Sequence, residues 1–206
     1  MPHLTDLTGL ASVASAATAS LLLLPWVARL AKTYLVILLA TVFVLLLVPF
    51  TPLPIAAYLR GMTGDLSITT LVLLGYALRG YWHGCVKVET KHSPALLLLI
   101  GLCALIFYPM ALGVGAYDPY RLGYGNFQFV AVLLLLALVA WYLKFALIVL
   151  CISFATFAWA IGWYESNNLW DYLLDPLVSI YALVVMMIHA LKTLLQRIRR
   201  NKNFHA

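Results

Sequence analysis

The chain has 206 residues, of which 65% are hydrophobic and only 10% are charged, and its formal net charge is +6. Its mean hydropathy is +0.99. Soluble domains are about 45–50% apolar and about a quarter charged, and a soluble fold of this size could not bury so much apolar surface. Composition therefore excludes an ordinary soluble enzyme and predicts one polytopic membrane domain covering residues 1–206.

The N-terminal part of the chain allows several arrangements. Residues 1–10 contain no lysine or arginine, and the small-residue tract precedes the leucines, so we predict no cleaved signal peptide. Residues 8–28 combine an Ala/Ser/Thr-rich half with the sequence LLLLPWVA. This segment is expected to form an interfacial helix, a re-entrant helix or an additional crossing.

Six further segments are apolar enough to cross a bilayer, since a spanning helix needs about 20 apolar residues and at least ~17. In chain order the predicted crossings are 33–50, 66–82, 94–113, 127–143, 145–164 and 172–195, followed by a basic cytoplasmic tail at 196–206. The sequence thus predicts an all-α membrane bundle of about six transmembrane helices plus the N-terminal helix.

The apolar stretch from Phe127 to Tyr164 is divided into two crossings for a physical reason. As one helix it would be about 57 Å long, far beyond a hydrocarbon core of about 30 Å. It would also bury Lys144 near the bilayer centre, which is unfavourable. We therefore predict a tight turn around residues 141–145, with Trp141 and Lys144 at an interface.

Basic residues sort strongly to one side of this predicted topology. Eleven fall on the side assigned to the cytoplasm: Arg29, Lys32, Arg79, Lys87, Lys91, Lys144, Lys192, Arg197, Arg199, Arg200 and Lys202. Only Arg60 and Arg121 fall on the opposite side. This bias predicts a multi-pass protein with a cytoplasmic C-terminus. Together with the small size and the absence of eukaryotic targeting signals, it predicts the bacterial inner membrane. Asp6 and Glu89 are expected inside, and the other five acidic residues outside.

The first predicted outer loop runs from Arg60 to Asp65 and contains Gly61 and Gly64 between them. Asp65 and Ser67 are good helix N-cap residues, and a helix N-terminus beside Arg60 could bind an anionic headgroup. The alternative is that Asp65 caps the helix and pairs with Arg60.

The other two outer segments supply the remaining candidate site residues. The loop GVGAYDPYRLGYGNF contains Asp118, Tyr120 and Arg121, and its tyrosines suit either an aromatic belt or stacking on a sugar-like substrate. The segment WYESNNLWDYLLDP adds three acidic residues: Glu165, Asp171 and Asp175. Asp171 and Asp175 are spaced to share a helix face, and we expect Asp175 to pair with an arginine because an acidic group at membrane depth needs a partner.

No cofactor or metal is predicted. The inner loop places His83, Cys85 and His92 at irregular spacing, and no established catalytic or phosphate-binding motif occurs. Nucleic acid is not an expected partner, because the basic residues flank membrane segments instead of forming a basic module. The expected partners are membrane lipids and other membrane protein chains.

Three functions fit this pattern. The favoured prediction is a non-catalytic membrane subunit that anchors or supports a partner in a bacterial cell-envelope pathway for lipid or glycan. One alternative is a membrane enzyme acting on a lipid-linked substrate at the outer leaflet. The other is a small lipid or solute transporter, which the absence of midplane ionisable residues disfavours.

Overall fold

A computed structural model describes residues 4–50, 52–82 and 92–204. Within these ranges the chain forms ten α-helices and two short 3₁₀-helices, and it contains no strand. The predicted all-α class is therefore confirmed. The α-helices are α1 Leu4–Ser20, α2 Pro25–Ala28, α3 Lys32–Leu47, α4 Ile55–Thr63, α5 Ile68–Trp82, α6 His92–Ala111, α7 Phe127–Tyr142, α8 Ala146–Ala160, α9 Leu169–Leu173 and α10 Pro176–Phe204. The 3₁₀-helices cover Leu21–Leu23 and Pro119–Gly123.

The predicted apolar segments correspond to α3, α5, α6, α7, α8 and α10. The last segment differs most, because α10 begins at Pro176 and continues through the basic tail to Phe204. Its predicted first residues instead form α9 and a short extended connection at Leu174. α4 lies in a segment that the sequence predicted as a loop, and α9 begins in one.

The predicted turn between the two halves of the long apolar stretch is confirmed. α7 ends at Tyr142 and α8 begins at Ala146. Lys144 adopts a positive φ of 62°, and its amide donates to the Trp141 carbonyl at 2.9 Å. Phe145 N donates to the Ala140 carbonyl at 2.8 Å, so the end of α7 is capped by the chain that reverses there.

Within the described ranges, two helices are long and apolar enough to cross a membrane, over Pro94–Ala111 and Pro176–Arg197. A third candidate combines α4 and α5, which are bent by 119° where they meet. α3, α7 and α8 are apolar but shorter; a 16-residue helix is only about 24 Å long, against a core of about 30 Å. The structure thus supports membrane association but does not confirm a bundle of six spans.

α1 is a packed helix of the bundle and not a peripheral segment. It contacts α3, α4 and α5, and its Ser12, Val13 and Ala14 are buried. The N-terminal segment is therefore a helix that packs within the bundle.

The core of the bundle surrounds α8, which contacts α5, α6, α7 and α9. Its inward positions include the small residues Cys151, Ala155 and Ala158, which let neighbouring helices approach closely. α6 also packs against α10. There a Cβ on Gly101 would lie 2.1 Å from Met186 Sδ, so a larger residue at this position would require the Met186 side chain to move.

The helices alternate in direction, and their polar residues collect at one end of the bundle. Contacts between distant residues place the starts of α1, α5, α7 and α10 together with the ends of α3, α6 and α8. We call this the polar end, defined by Asp6, Arg60, Asp65, Ser67, Tyr120, Glu165, Asp171 and Asp175.

Candidate functional site

Asp175 joins the N-termini of two helices at the polar end. It directly precedes Pro176, the first residue of α10, and its Oδ1 accepts a hydrogen bond from Val178 N at 2.8 Å. Its Oδ2 accepts from Ser67 N at 2.9 Å, from Ser67 Oγ at 2.7 Å and from Thr70 Oγ1. The residue is only 3% exposed. The partial positive charges of both helix N-termini stabilise this buried carboxylate.

The expected pair between Asp175 and an arginine is wrong in the described part of the chain, where both carboxylate oxygens accept from hydroxyl and backbone groups. The expectation failed because it considered only charged partners, whereas Ser67 and Thr70 supply neutral donors. Asp171 and Asp175 also do not share a helix face, since α9 ends at Leu173 before Asp175 is reached.

Arg60 forms a second cluster with three carboxylates. Its Nε donates to Asp65 Oδ1 at 2.6 Å and one terminal nitrogen donates to Asp65 Oδ2 at 2.9 Å, which is a bidentate pair. Asp6 and Glu165 each lie 3.4 Å from the guanidinium. The alternative that pairs Arg60 with Asp65 is confirmed, while Ser67, and not Asp65, caps α5 by accepting from Thr70 N at 3.2 Å.

Asp6 lies at the polar end and not at the opposite end, where it was expected. α1 begins at the polar end, where it is held by the Asp6–Arg60 contact and by a hydrogen bond from Thr8 to the Trp163 carbonyl. The pKa of Glu165 is raised, first by a hydrogen bond with the Asp6 carboxyl and then by the charge of that group, with Arg60 opposing the shift.

These contacts change the kind of ligand expected to bind near Arg60. Arg60 is surrounded by three carboxylates, and the N-terminus of α5 already holds the Asp175 carboxylate. An anionic headgroup would have to displace carboxylates of the chain itself. The geometry therefore favours ligands other than anions.

Asp171 and Tyr120 form a third cluster. The Tyr120 hydroxyl donates to both Asp171 oxygens, at 3.1 and 3.0 Å, and Ser166 Oγ donates to Asp171 Oδ2. The pKa of the Tyr120 hydroxyl is raised, first by burial and then by the negative charge of Asp171. Tyr120 is therefore a neutral donor that holds the carboxylate in place.

Asn168 and Gly123 position the loop that carries Tyr120. Asn168 caps α9 by accepting from Trp170 N at 2.9 Å, and its Nδ2 donates to the Tyr120 carbonyl at 2.9 Å. A Cβ on Gly123 would lie 1.7 Å from Asn168 Oδ1, so only glycine permits this approach.

Asp118 and Arg121 stand apart from these clusters. Asp118 caps the second 3₁₀-helix by accepting from Tyr120 N at 2.9 Å. Arg121 is exposed and forms no ion pair with another described residue. The eight predicted site residues therefore separate into three clusters and this flanking pair.

A cavity of about 500 Å³ lies between the clusters. Three carboxylates line it, from Asp65, Asp171 and Asp175, together with aromatic side chains of α6, α9 and the loops. A second cavity, of about 810 Å³, lies on the other side of the Arg60–Asp65 pair, between α1, α3 and α4.

Sequence reasoning missed several residues of the first cavity: Tyr108, Tyr164, Ser166 and Trp170. Ser67 was predicted only as a cap, and Thr70 was not among the predicted site residues. Ser67 and Thr70 are three residues apart at a helix start. Two hydroxyl donors so spaced indicate a shared acceptor, which here is Asp175. Tyr164 gave no signal, because its location depends on long-range packing.

His83 and Cys85 lie outside the described residues, and His92 begins α6. Among the residues that the structure describes, no group of three His, Cys, Asp or Glu side chains is arranged to hold a metal. We find no match to the chain among protein families, curated proteins or solved structures.

Proposed function

We propose that the chain is a non-catalytic integral subunit of the bacterial inner membrane that supports a partner in a cell-envelope pathway for lipid or glycan. The observation that carries this proposal is that Asp65, Asp171 and Asp175 all accept hydrogen bonds from donors of the fold itself. Each of them fixes one element against another. Carboxylates bound in this way stabilise a scaffold, whereas a general base needs free access to a substrate proton.

We further propose that seven helices pass through the membrane: α1, α3, α5, α6, α7, α8 and α10. Their alternating directions support this topology, since the polar end then lies outside. The C-terminus and the Lys144 turn then lie in the cytoplasm, as the sorting of basic residues requires. Five of these helices are only 15–17 residues long, namely α1, α3, α5, α7 and α8. Flanking aromatic and basic residues or local thinning of the bilayer match them to its thickness.

Exposed apolar side chains support a membrane partner. On α7, Val132, Leu134 and Leu135 are each about 60% exposed, and on α10 Ile180 and Met187 are about as exposed. In water such faces would be unfavourable. Lipid tails or the helices of another chain would cover them.

Co-purification tests the subunit proposal. The tagged chain is extracted in mild detergent from its native membrane, and its mass is measured by light scattering together with identification of co-eluting chains. We expect a defined complex heavier than the 22.9 kDa chain. Leu135→Trp on the exposed face of α7 should reduce the yield of partner, and Met62→Trp, at an exposed position on α4, is its control. A monodisperse chain without a partner, which still restores function, would contradict the proposal.

The cavity supports one alternative, a membrane enzyme acting on a lipid-linked substrate. Asp171→Asn separates the two functions, because it removes a cavity carboxylate and keeps the shape. The variant is expressed at normal abundance in a strain lacking the gene. If the protein is an enzyme, this variant should fail to restore function. If the protein is a supporting subunit, Asp171→Asn should restore function. The control Asp118→Asn should restore function in both cases.

A further inference from the structure

The cavity at the polar end combines acidic and aromatic residues without a compensating cation. Within the ranges 4–50, 52–82 and 92–204, no lysine, arginine or histidine lines it. Asp65 is neutralised by Arg60. Asp171 and Asp175 receive hydrogen bonds only from hydroxyl and backbone donors, so neither carboxylate is paired with a cation among the described residues.

The hydrogen bonds leave acceptor capacity at defined atoms. A carboxylate has about four lone-pair sites. Asp175 Oδ2 already accepts three hydrogen bonds, whereas Asp171 Oδ1 accepts only one, from Tyr120. Asp171 Oδ1 is thus the carboxylate oxygen best able to accept a further hydrogen bond from a ligand.

A buried and unsatisfied hydroxyl provides an independent observation. Tyr164 lines the cavity and is 2% exposed, and its hydroxyl has no hydrogen-bond partner in the described part of the chain. Ser12 of α1 is close enough to affect this hydroxyl, but Ser12 Oγ donates to the Gly9 carbonyl at 2.7 Å. Since a buried hydroxyl without a partner is unfavourable by about 1–3 kcal/mol, a ligand that satisfies Tyr164 would be stabilised.

The dimensions and walls of the cavity define the class of ligand. Among the described residues, no three His, Cys, Asp or Glu side chains are grouped to hold a metal ion. Tyr108, Tyr120 and Trp170 line the cavity, and aromatic residues favour the polarised CH groups of organic ammonium ions. A volume of about 500 Å³ accommodates a headgroup-sized molecule.

We propose that this cavity binds an organic ammonium group, with Asp171 Oδ1 and the Tyr164 hydroxyl as its acceptors. The ammonium comes either from the ethanolamine headgroup of a phospholipid or from a small soluble amine. This inference goes beyond the proposed subunit function, and it concerns the isolated chain.

The test uses the purified full chain in detergent micelles. Binding is followed by tryptophan fluorescence, to which Trp170 in the cavity contributes, and by the shift in unfolding temperature. The probes are short-chain phosphatidylethanolamine, phosphatidylglycerol of the same chain length and free ethanolamine. We expect phosphatidylethanolamine to bind and phosphatidylglycerol not to bind.

The outcomes separate the two sources of the ammonium group. If free ethanolamine binds as tightly as the lipid, the ligand is a soluble amine; if only the lipid binds, it is a headgroup. Equal binding of phosphatidylglycerol, or no binding of either amine, would overturn the proposal. No partner chain is present, so this result is independent of co-purification.

Matched variants locate the site. Asp171→Asn should weaken amine binding about tenfold or more, as expected for a lost hydrogen bond to a charged group. Tyr164→Phe should weaken amine binding less than Asp171→Asn does. It tests the same site if the Asp171→Asn protein does not fold. Asp118→Asn, outside the cavity, is the control. Unchanged binding by folded Tyr164→Phe and Asp171→Asn proteins would exclude this cavity as the site.

Discussion

Two of the three carboxylate clusters at the polar end are stabilised in different ways. Asp175 is 3% exposed and relies on neutral hydroxyl and amide donors at two helix N-termini. The Arg60 cluster is more accessible, with 18% side-chain exposure for Arg60 and 55% for Glu165, and it relies on full charges. The comparison shows that the burial of a carboxylate determines whether neutral donors or cations stabilise it. Hydrogen bonds from the fold are effective where a second ion would be desolvated, and ion pairs occur where water still reaches them.

The deep cluster should give the largest effect. Asp175→Ala removes the acceptor of four donors and leaves buried polar groups without a partner. We expect it to reduce the free energy of unfolding by about 3 kcal/mol or more, since each unsatisfied group is unfavourable by about 1–3 kcal/mol. The measurement is unfolding in mixed micelles by titration with a denaturing detergent.

Asp118→Ala is the matched control for this prediction, because Asp118 caps a 3₁₀-helix through a single bond outside the cavity. Loss of such a cap destabilises by about 1 kcal/mol. If the two variants were equally stable, Asp175 would not be the main connection between α5 and α10.

The shallower cluster should give a smaller and pH-dependent effect. Arg60→Gln removes the only cation near Asp6, Asp65 and Glu165 among the described residues, and we expect a loss of about 2 kcal/mol near neutral pH. As pH falls, these carboxylates become protonated and their mutual repulsion decreases. The loss should therefore be smaller at acidic pH, measured by the same unfolding assay. A loss that does not change with pH would show that Arg60 acts by packing alone.

Several features of this fold were predictable from local sequence. The apolar runs predict most long helices, and Lys144 between aromatic residues predicts the α7–α8 turn. Charge proximity predicts the Arg60–Asp65 pair, which is five residues apart. Such features depend on composition or on neighbours in sequence, so they need no knowledge of the tertiary structure.

Other features depend on contacts between distant residues. Asp175 meets Ser67 across 108 positions, and Asp6 meets Arg60 across 54, so neither pairing has a local signal. α4 contains Gly61 within a glycine-containing segment that resembles a turn, yet packing against α1 makes it helical. Tertiary contacts thus override weak local propensity here.

The close approach of α1 to the Arg60 cluster gives the third prediction. A Cβ on Gly9 would lie 2.4 Å from Asp65 Oδ1 and 2.8 Å from Arg60 Cζ. Gly9→Ala should therefore separate α1 from the ion pair and destabilise by about 1–2 kcal/mol. Gly61→Ala is the control, since no atom lies within 4 Å of its Cβ position and alanine stabilises a helix interior by up to about 1 kcal/mol. Effects of the same sign would contradict this packing.

The smallest effect is expected for Glu165, the most exposed member of the Arg60 cluster. Its pKa is raised, chiefly by the hydrogen bond with Asp6, so the folded state binds a proton at pH values where the unfolded state has released it. This contribution to stability is complete below the ordinary pKa of a glutamate and is lost as pH rises through the raised pKa. Glu165→Gln should remove that decline. Unfolding temperatures of both proteins from about pH 4 to about pH 7, which brackets the ordinary range of carboxyl groups, would show it. If both proteins declined in parallel, the proton would reside on another member of the cluster, and Asp6→Asn would then be the variant that flattens the curve.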